Sequence, residues 1–136
     1  MKRPVCGLIL HSPIMSGIRV LMENRGPLCC CDIYPNINRI KRVTCPVLVI
    51  HGDRDIEVGF NHGVGMQEAV PKHSKTEPCW IEGGGHNNIV DEFPHEYYPK
   101  VQAFLNSLKN TRDTMNTNAS ASSSNTAEKE MVLSSS

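Results

Sequence analysis

Three short apolar runs mark the first two-thirds of the chain. They are Val5-Cys6-Gly7-Leu8-Ile9-Leu10, Pro46-Val47-Leu48-Val49-Ile50 and Glu77-Pro78-Cys79-Trp80-Ile81-Glu82. The first two lack the alternation of a strand with one wet face, which suits strands buried on both sides as in a parallel sheet. The second run is the clearest: Val47, Val49 and Ile50 are β-branched, and it closes on His51-Gly52, a strand followed by a turn. The third is weaker and leads into Gly83-Gly84-Gly85-His86, where glycines free the backbone for a tight loop.

Helical patterns fill the spaces. Residues 36–43 read as a short helix with Asn36 as cap and Ile37 and Ile40 on one side. Residues 61–70 read as a helix that stops before Pro71. Residues 97–108 carry Val101, Phe104, Leu105 and Leu108 at i, i+3, i+4 and i+7, with Pro99 near the start. Residues 11–35 hold Pro13, Gly17, Gly26, Pro27 and Pro35 and are expected to be irregular. Strands alternating with helices predict the α/β class, built from βαβ units with right-handed crossovers. From residue 110 to 136 the composition turns to Ser, Thr, Asn and Ala. Such a segment buries too little surface to offset its ordering entropy, so a disordered tail is expected there and a folded part over 1–109.

Charge and composition narrow the function. The 136 residues include 14 basic and 14 acidic side chains, a balance that argues against a dedicated nucleic-acid binder. No apolar run reaches the ~18 residues of a membrane span, and the short run after Lys2 and Arg3 is too brief for a signal peptide. The expectation is a cytoplasmic protein with no transmembrane segment, in which the sequon at Asn118 arises by chance. The six cysteines are Cys6, Cys29, Cys30, Cys31, Cys45 and Cys79. Their spacing fits no standard zinc site. Free thiols are expected, with no metal and no cofactor.

Ligands of an open parallel sheet sit at the carboxyl ends of its strands. Asp53 and Asp55 follow the second strand and His86 follows the third. Adjacent strands would therefore bring a carboxylate and an imidazole to one edge. A histidine can take a proton near neutral pH, and a carboxylate on its other nitrogen sets the tautomer. Either aspartate can equally be a turn former. His51 reads as a packed core histidine, and His11 and Ser12 as strand-end hydrogen-bonding groups. A nucleophile is harder to find. No Gly-x-Ser-x-Gly occurs, Ser12 and Ser16 lack a strand–turn–helix setting, and nothing near Cys29 to Cys31 marks a reactive thiolate.

Several segments together resemble a known family. They are His11-Ser12-Pro13-Ile14-Met15-Ser16-Gly17-Ile18-Arg19-Val20, Asp32-Ile33-Tyr34-Pro35-Asn36-Ile37, Pro46-Val47-Leu48-Val49-Ile50-His51-Gly52 and Trp80-Ile81-Glu82-Gly83-Gly84-Gly85-His86-Asn87. From about residue 5 to 108 the chain is similar to the C-terminal half of the class seventeen alpha/beta-hydrolase-domain proteins, eukaryotic serine hydrolases that remove palmitate from protein thioesters. The resemblance implies that Asp55 is the triad acid and His86 the base. It implies three parallel strands with helices, the sixth to eighth strands of an incomplete hydrolase sheet. It further implies an acylated protein substrate and no cofactor. Family members are membrane-associated through an N-terminal cysteine cluster. That cluster, the early strands, the oxyanion-hole loop and the nucleophile elbow are not found in these residues. The 136-residue chain is accordingly expected to be inactive alone, as part of a longer parent hydrolase, with docking onto a separate N-terminal half as a further reading. The alternative is a non-catalytic interaction module or a decayed copy.

Overall fold

The computed structural model describes residues 5–17, 20, 32 and 34–133, with side chains described up to residue 114. Its centre is a three-stranded sheet in the order β1-β2-β3, with β1 at Leu8–His11, β2 at Val47–Gly52 and β3 at Cys79–Ile81. Both pairings are parallel. Leu8 lies opposite Val47 and His11 opposite Ile50, while Ile50 lies opposite Cys79 and Gly52 opposite Ile81. A parallel sheet with helices between its strands is what the alternation of elements predicts.

Burial follows position in the sheet. Every residue of β2 is buried, whereas Leu8, Ile9 and Leu10 of β1 are half-buried and His11 is exposed. The strand with two neighbours thus carries the run of apolar residues, each contributing roughly 1.5–3 kcal/mol on burial. Side chains alternate between its two faces. Val47 and Val49 join a cluster with Met15, Ile40, Met66 and Val70, against which Leu10, Ile37 and Trp80 pack.

Helices supply one cover of that cluster. α1 (Asn36–Arg39) passes directly into a 3-10 turn at Ile40–Arg42, whose Ile40 is buried. The sequence reading had one helix over 36–43. Four α-helical residues are too few to propagate, and the tighter turn closes the last carbonyls. The N-cap position falls on Pro35, with no side-chain capping bond, so Asn36 is not the cap. Its amide instead donates to the Ile14 carbonyl at 3.1 Å, tying α1 to the loop after β1. α2 (Phe60–Ala69) begins one residue before the expected start and ends before Pro71. The Met15 N–H donates to His62 Nδ1 at 3.0 Å, which ties the same loop to α2.

After β3 comes a single helical turn that the sequence pattern did not show, α3 (Ile89–Glu92), followed by α4 (Pro94–Leu133). α3 escapes a periodicity search because one turn displays no period. α4 contains Pro99. Of its predicted apolar stripe, Phe104 is buried and Leu105 is 42% exposed. The chain divides into two compact units, Met1–Gln102 and Ala103–Ser136.

Candidate active site

Two loops leave the carboxyl edge of the sheet and meet. The first runs from Gly52 to α2 and carries Asp53 and Asp55. The second runs from Ile81 to α3 and carries His86. Backbone bonds join them: the Asp53 N–H donates to the Ile81 carbonyl at 3.0 Å and the Arg54 N–H to the Gly84 carbonyl at 2.9 Å. Close approach is possible because both loops present glycine where they cross. A Cβ placed on Gly52 would collide with the Gly84 carbonyl group, and one on Gly84 would lie 3.2 Å from Gly52 Cα. Gly83 takes φ +77°, the left-handed region open to glycine. The glycine run before His86 therefore serves both conformation and contact.

The structure separates the two aspartates that strand spacing by itself left open. Asp53 is exposed, and its Oδ1 accepts the Gly83 N–H at 2.7 Å, so it clamps the loops. Asp55 is buried, with 6% of its surface exposed. Its Oδ1 accepts the Glu57 and Val58 N–H groups at 3.0 and 2.8 Å. Its Oδ2 lies 2.8 Å from His86 Nδ1 and 3.3 Å from His51 Nε2. A buried carboxylate needs this many donors to remain charged out of water. A further bond, Asn87 Nδ2 to Glu57 Oε1 at 2.9 Å, braces the two loops on either side of the pair.

This geometry decides which nitrogen of His86 carries hydrogen. An ionised carboxylate only accepts, so Nδ1 donates, and in the neutral ring Nε2 keeps the lone pair. The His86 side chain is 26% exposed, so the ring is open to solvent on part of its surface. The arrangement can accept a proton at Nε2 and hold the resulting imidazolium against Asp55.

Two more histidines lie by the pair, and sequence reasoning had read them as a core residue and a strand-end hydrogen-bonding group. His51 is fully buried and adds a second imidazole to Asp55 Oδ2. Its place in an apolar strand hid this, since a core histidine and a histidine partnered to a loop look alike in sequence. His11 lies near the same edge. Burial pushes its pKa below the usual 6.5, the His86 and His51 imidazoles push it further down, and Asp55 opposes them. A depressed histidine favours the neutral form in the fold, so unfolding takes up protons below pH 6.5. Its contribution is thus fully present above that value and is lost as pH falls through the lowered pKa. Urea midpoints measured from about pH 7.5 down to pH 5 should drop on the acid side, and His11→Gln should flatten that slope.

Ser12 follows β1 with φ 44°, an uncommon backbone for a residue with a side chain. Its Oγ is buried and without a partner, so it is not bonded to His86. Ser16 is fully buried. Cys6, Cys45 and Cys79 are free thiols, and burial of Cys79 raises its pKa, opposed by Lys100 and reinforced by Glu96. Cys29, Cys30 and Cys31 lie outside the described residues. Among the described residues no cluster of side chains suits a metal ion, and no helix is long and apolar enough to cross a membrane.

Comparison with known proteins bears on the chain's family. No protein-family profile matches the chain. Alpha/beta hydrolase domain-containing protein 17C of Homo sapiens is 44% identical over 98 residues, covering 72% of this chain and 29% of that protein. The alpha/beta hydrolase domain-containing protein aho-3 of Caenorhabditis elegans is 39% identical over 104 residues, covering 76% of this chain and 30% of that protein. Among solved structures, the esterase RhEst1 from Rhodococcus sp. ECU1013 aligns with a TM-score of 0.46 and 28% identity, over 53% of this chain and 25% of the esterase. The chain spans about 30% of the length of the curated relatives it matches. With its parallel strands in sequential order and a family likeness covering most of its length, the chain belongs to the alpha/beta-hydrolase superfamily as a part of that fold, similar to the class seventeen domain-containing proteins.

Proposed function

We propose that these residues supply the acid and the base of a serine-hydrolase centre, with Asp55 as acid and His86 as base. The nucleophile would come from a segment outside the 136 residues. The observation that carries this reading is the 2.8 Å bond from His86 Nδ1 to a buried Asp55 carboxylate whose other oxygen is held by two backbone N–H groups. Such a carboxylate cannot turn away, so the ring is oriented before any substrate arrives.

In this reading His86 Nε2 removes the proton of a serine hydroxyl as its oxygen attacks an acyl carbonyl. The imidazolium then returns the proton to the leaving thiol. In the second half a water gives its proton to Nε2 as its oxygen attacks the acyl-enzyme. The imidazolium passes that proton to the departing serine oxygen, releasing the carboxylic acid and restoring serine and neutral histidine. The substrate class we propose is the acyl thioester of a palmitoylated protein, with the parent in the cytoplasm and attached to membranes through an N-terminal cysteine cluster. The alternative is a non-catalytic module that binds a partner along β1, which pairs on one side only among the described residues.

The purified 136-residue chain should give no turnover of a p-nitrophenyl ester. A chimera in which it replaces the matched 98 residues of the human 17C protein should hydrolyse that ester and an acyl thioester. Turnover by the chain alone, abolished in His86→Ala, would place the nucleophile within it and overturn this assignment. A folded but inert chimera would favour the binding module.

We also propose that residues 110–136 act as a tail. The backbone from 110 to 133 is helical, but a Ser/Thr/Asn-rich helix has low propensity and little to bury, so its formation is marginal in water. Amide hydrogens of residues 115–133 should exchange at close to random-coil rates, while those of β2 are protected. Protection comparable to β2 would refute the tail.

A further inference from the structure

We propose that His51 is a positioning residue for the Asp55–His86 pair, holding the acid and the loop that carries it through one buried N–H. This rests on the acid–base reading above. His51 sits near the end of β2 with its side chain fully buried. Its Nε2 donates to the Val58 carbonyl at 2.8 Å and lies 3.3 Å from Asp55 Oδ2. A carbonyl only accepts, so Nε2 must carry hydrogen. Val58 closes a ring of bonds, because its own N–H donates to Asp55 Oδ1 at 2.8 Å. One imidazole on a rigid strand therefore anchors the far end of the acid loop through Val58, and stands 3.3 Å from the oxygen that binds His86.

The other ring nitrogen supports the assignment. His51 Nδ1 is buried with no hydrogen-bond partner. A phenylalanine or leucine would fill this space beside Phe60, whose ring meets the imidazole edge-on at 6.1 Å, and would leave no orphaned polar atom. An imidazole with an unsatisfied nitrogen is a costly occupant of a core unless its other nitrogen is needed. Space is also made for it: a Cβ on Gly63 of α2 would lie 2.6 Å from Nδ1. The titratable groups around the pair are then His11, His51, Asp55 and His86.

The test is nitrogen-15 NMR on the 136-residue chain, comparing wild type with His51→Phe, His51→Gln and Asp55→Asn. The readout is solvent exchange of the His86 Nδ1 hydrogen, measured against the amides of β2. His51→Phe should accelerate that exchange about tenfold with the β2 amides unchanged. His51→Gln, whose amide can donate to Val58, should recover most of the protection. Asp55→Asn should remove the Nδ1 hydrogen altogether. If Asp55→Asn leaves it in place, the acid–base reading fails whatever His51 does. If Asp55→Asn removes it but His51→Phe leaves exchange unchanged, the role of His51 alone is overturned. Should His51→Phe not fold, wild-type protein decides: a slowly exchanging hydrogen on His51 Nε2 supports the inference, and a bare Nε2 overturns it.

Discussion

Asp55→Asn is expected to lower kcat about 10⁴-fold in the chimera that joins this chain to a nucleophile, with KM nearly unchanged. The size follows from the hydrogen-bond inventory rather than from lost charge alone. The Glu57 and Val58 N–H groups require an acceptor at the position of Oδ1. An asparagine must place its carbonyl oxygen there, and its NH₂ then faces His86 and His51. His86 Nδ1 can no longer donate, so it becomes the acceptor and the ring hydrogen moves to Nε2. With hydrogen on Nε2 the imidazole cannot remove a proton from a serine. The geometry survives while the tautomer is wrong, which is why kcat falls and binding does not. A loss below about tenfold would mean that Asp55 is not the acid. Asp53→Asn provides the contrast. It keeps an acceptor for the Gly83 N–H and should leave kcat within about threefold of the parent.

Gly52→Ala is expected to abolish folding of the chain, or to destabilise it by more than about 3 kcal/mol, a large share of a small domain's total stability. The added methyl would meet the backbone of Gly84, not the mobile tip of a side chain. Neither loop can retreat, since the Asp53–Ile81 and Arg54–Gly84 bonds hold them together. Gly59→Ala is a suitable control. Its nearest obstacle is the Asn61 side-chain oxygen at 2.7 Å, which can rotate aside, so the cost should stay below about 1 kcal/mol. Denaturant unfolding of both variants checks the comparison. Equal costs would show that the crossing of the two loops is looser than the structure has it.

The legible parts of this protein were those in which one residue type has one physical reason to be where it is. An unbroken apolar run such as Val47-Leu48-Val49-Ile50 has few homes other than a strand covered on both faces. β2 is that strand, whereas the half-exposed β1 is shorter than its apolar run suggested. Asp55 and His86 stood out as candidates because each follows a strand, with the carboxylate before the histidine. The single turn of α3 and the division at Ile40 between α-helix and 3-10 turn were not visible, being shorter than any period that reveals them.

By itself the sequence determined the α/β class, the order of strands and helices along the chain and the short list of groups that follow the strands. It did so because burial patterns and turn residues act locally, within a few positions. Apart from the family resemblance, which implied Asp55, only tertiary structure decides which aspartate faces His86, since Asp53 and Asp55 differ by two positions and the choice depends on how the loop crosses Gly84. Tertiary structure alone brought His51 to Asp55 Oδ2 and made Gly52 indispensable. Those facts arise where two loops distant in sequence meet, and only the packed fold sets the distance between them.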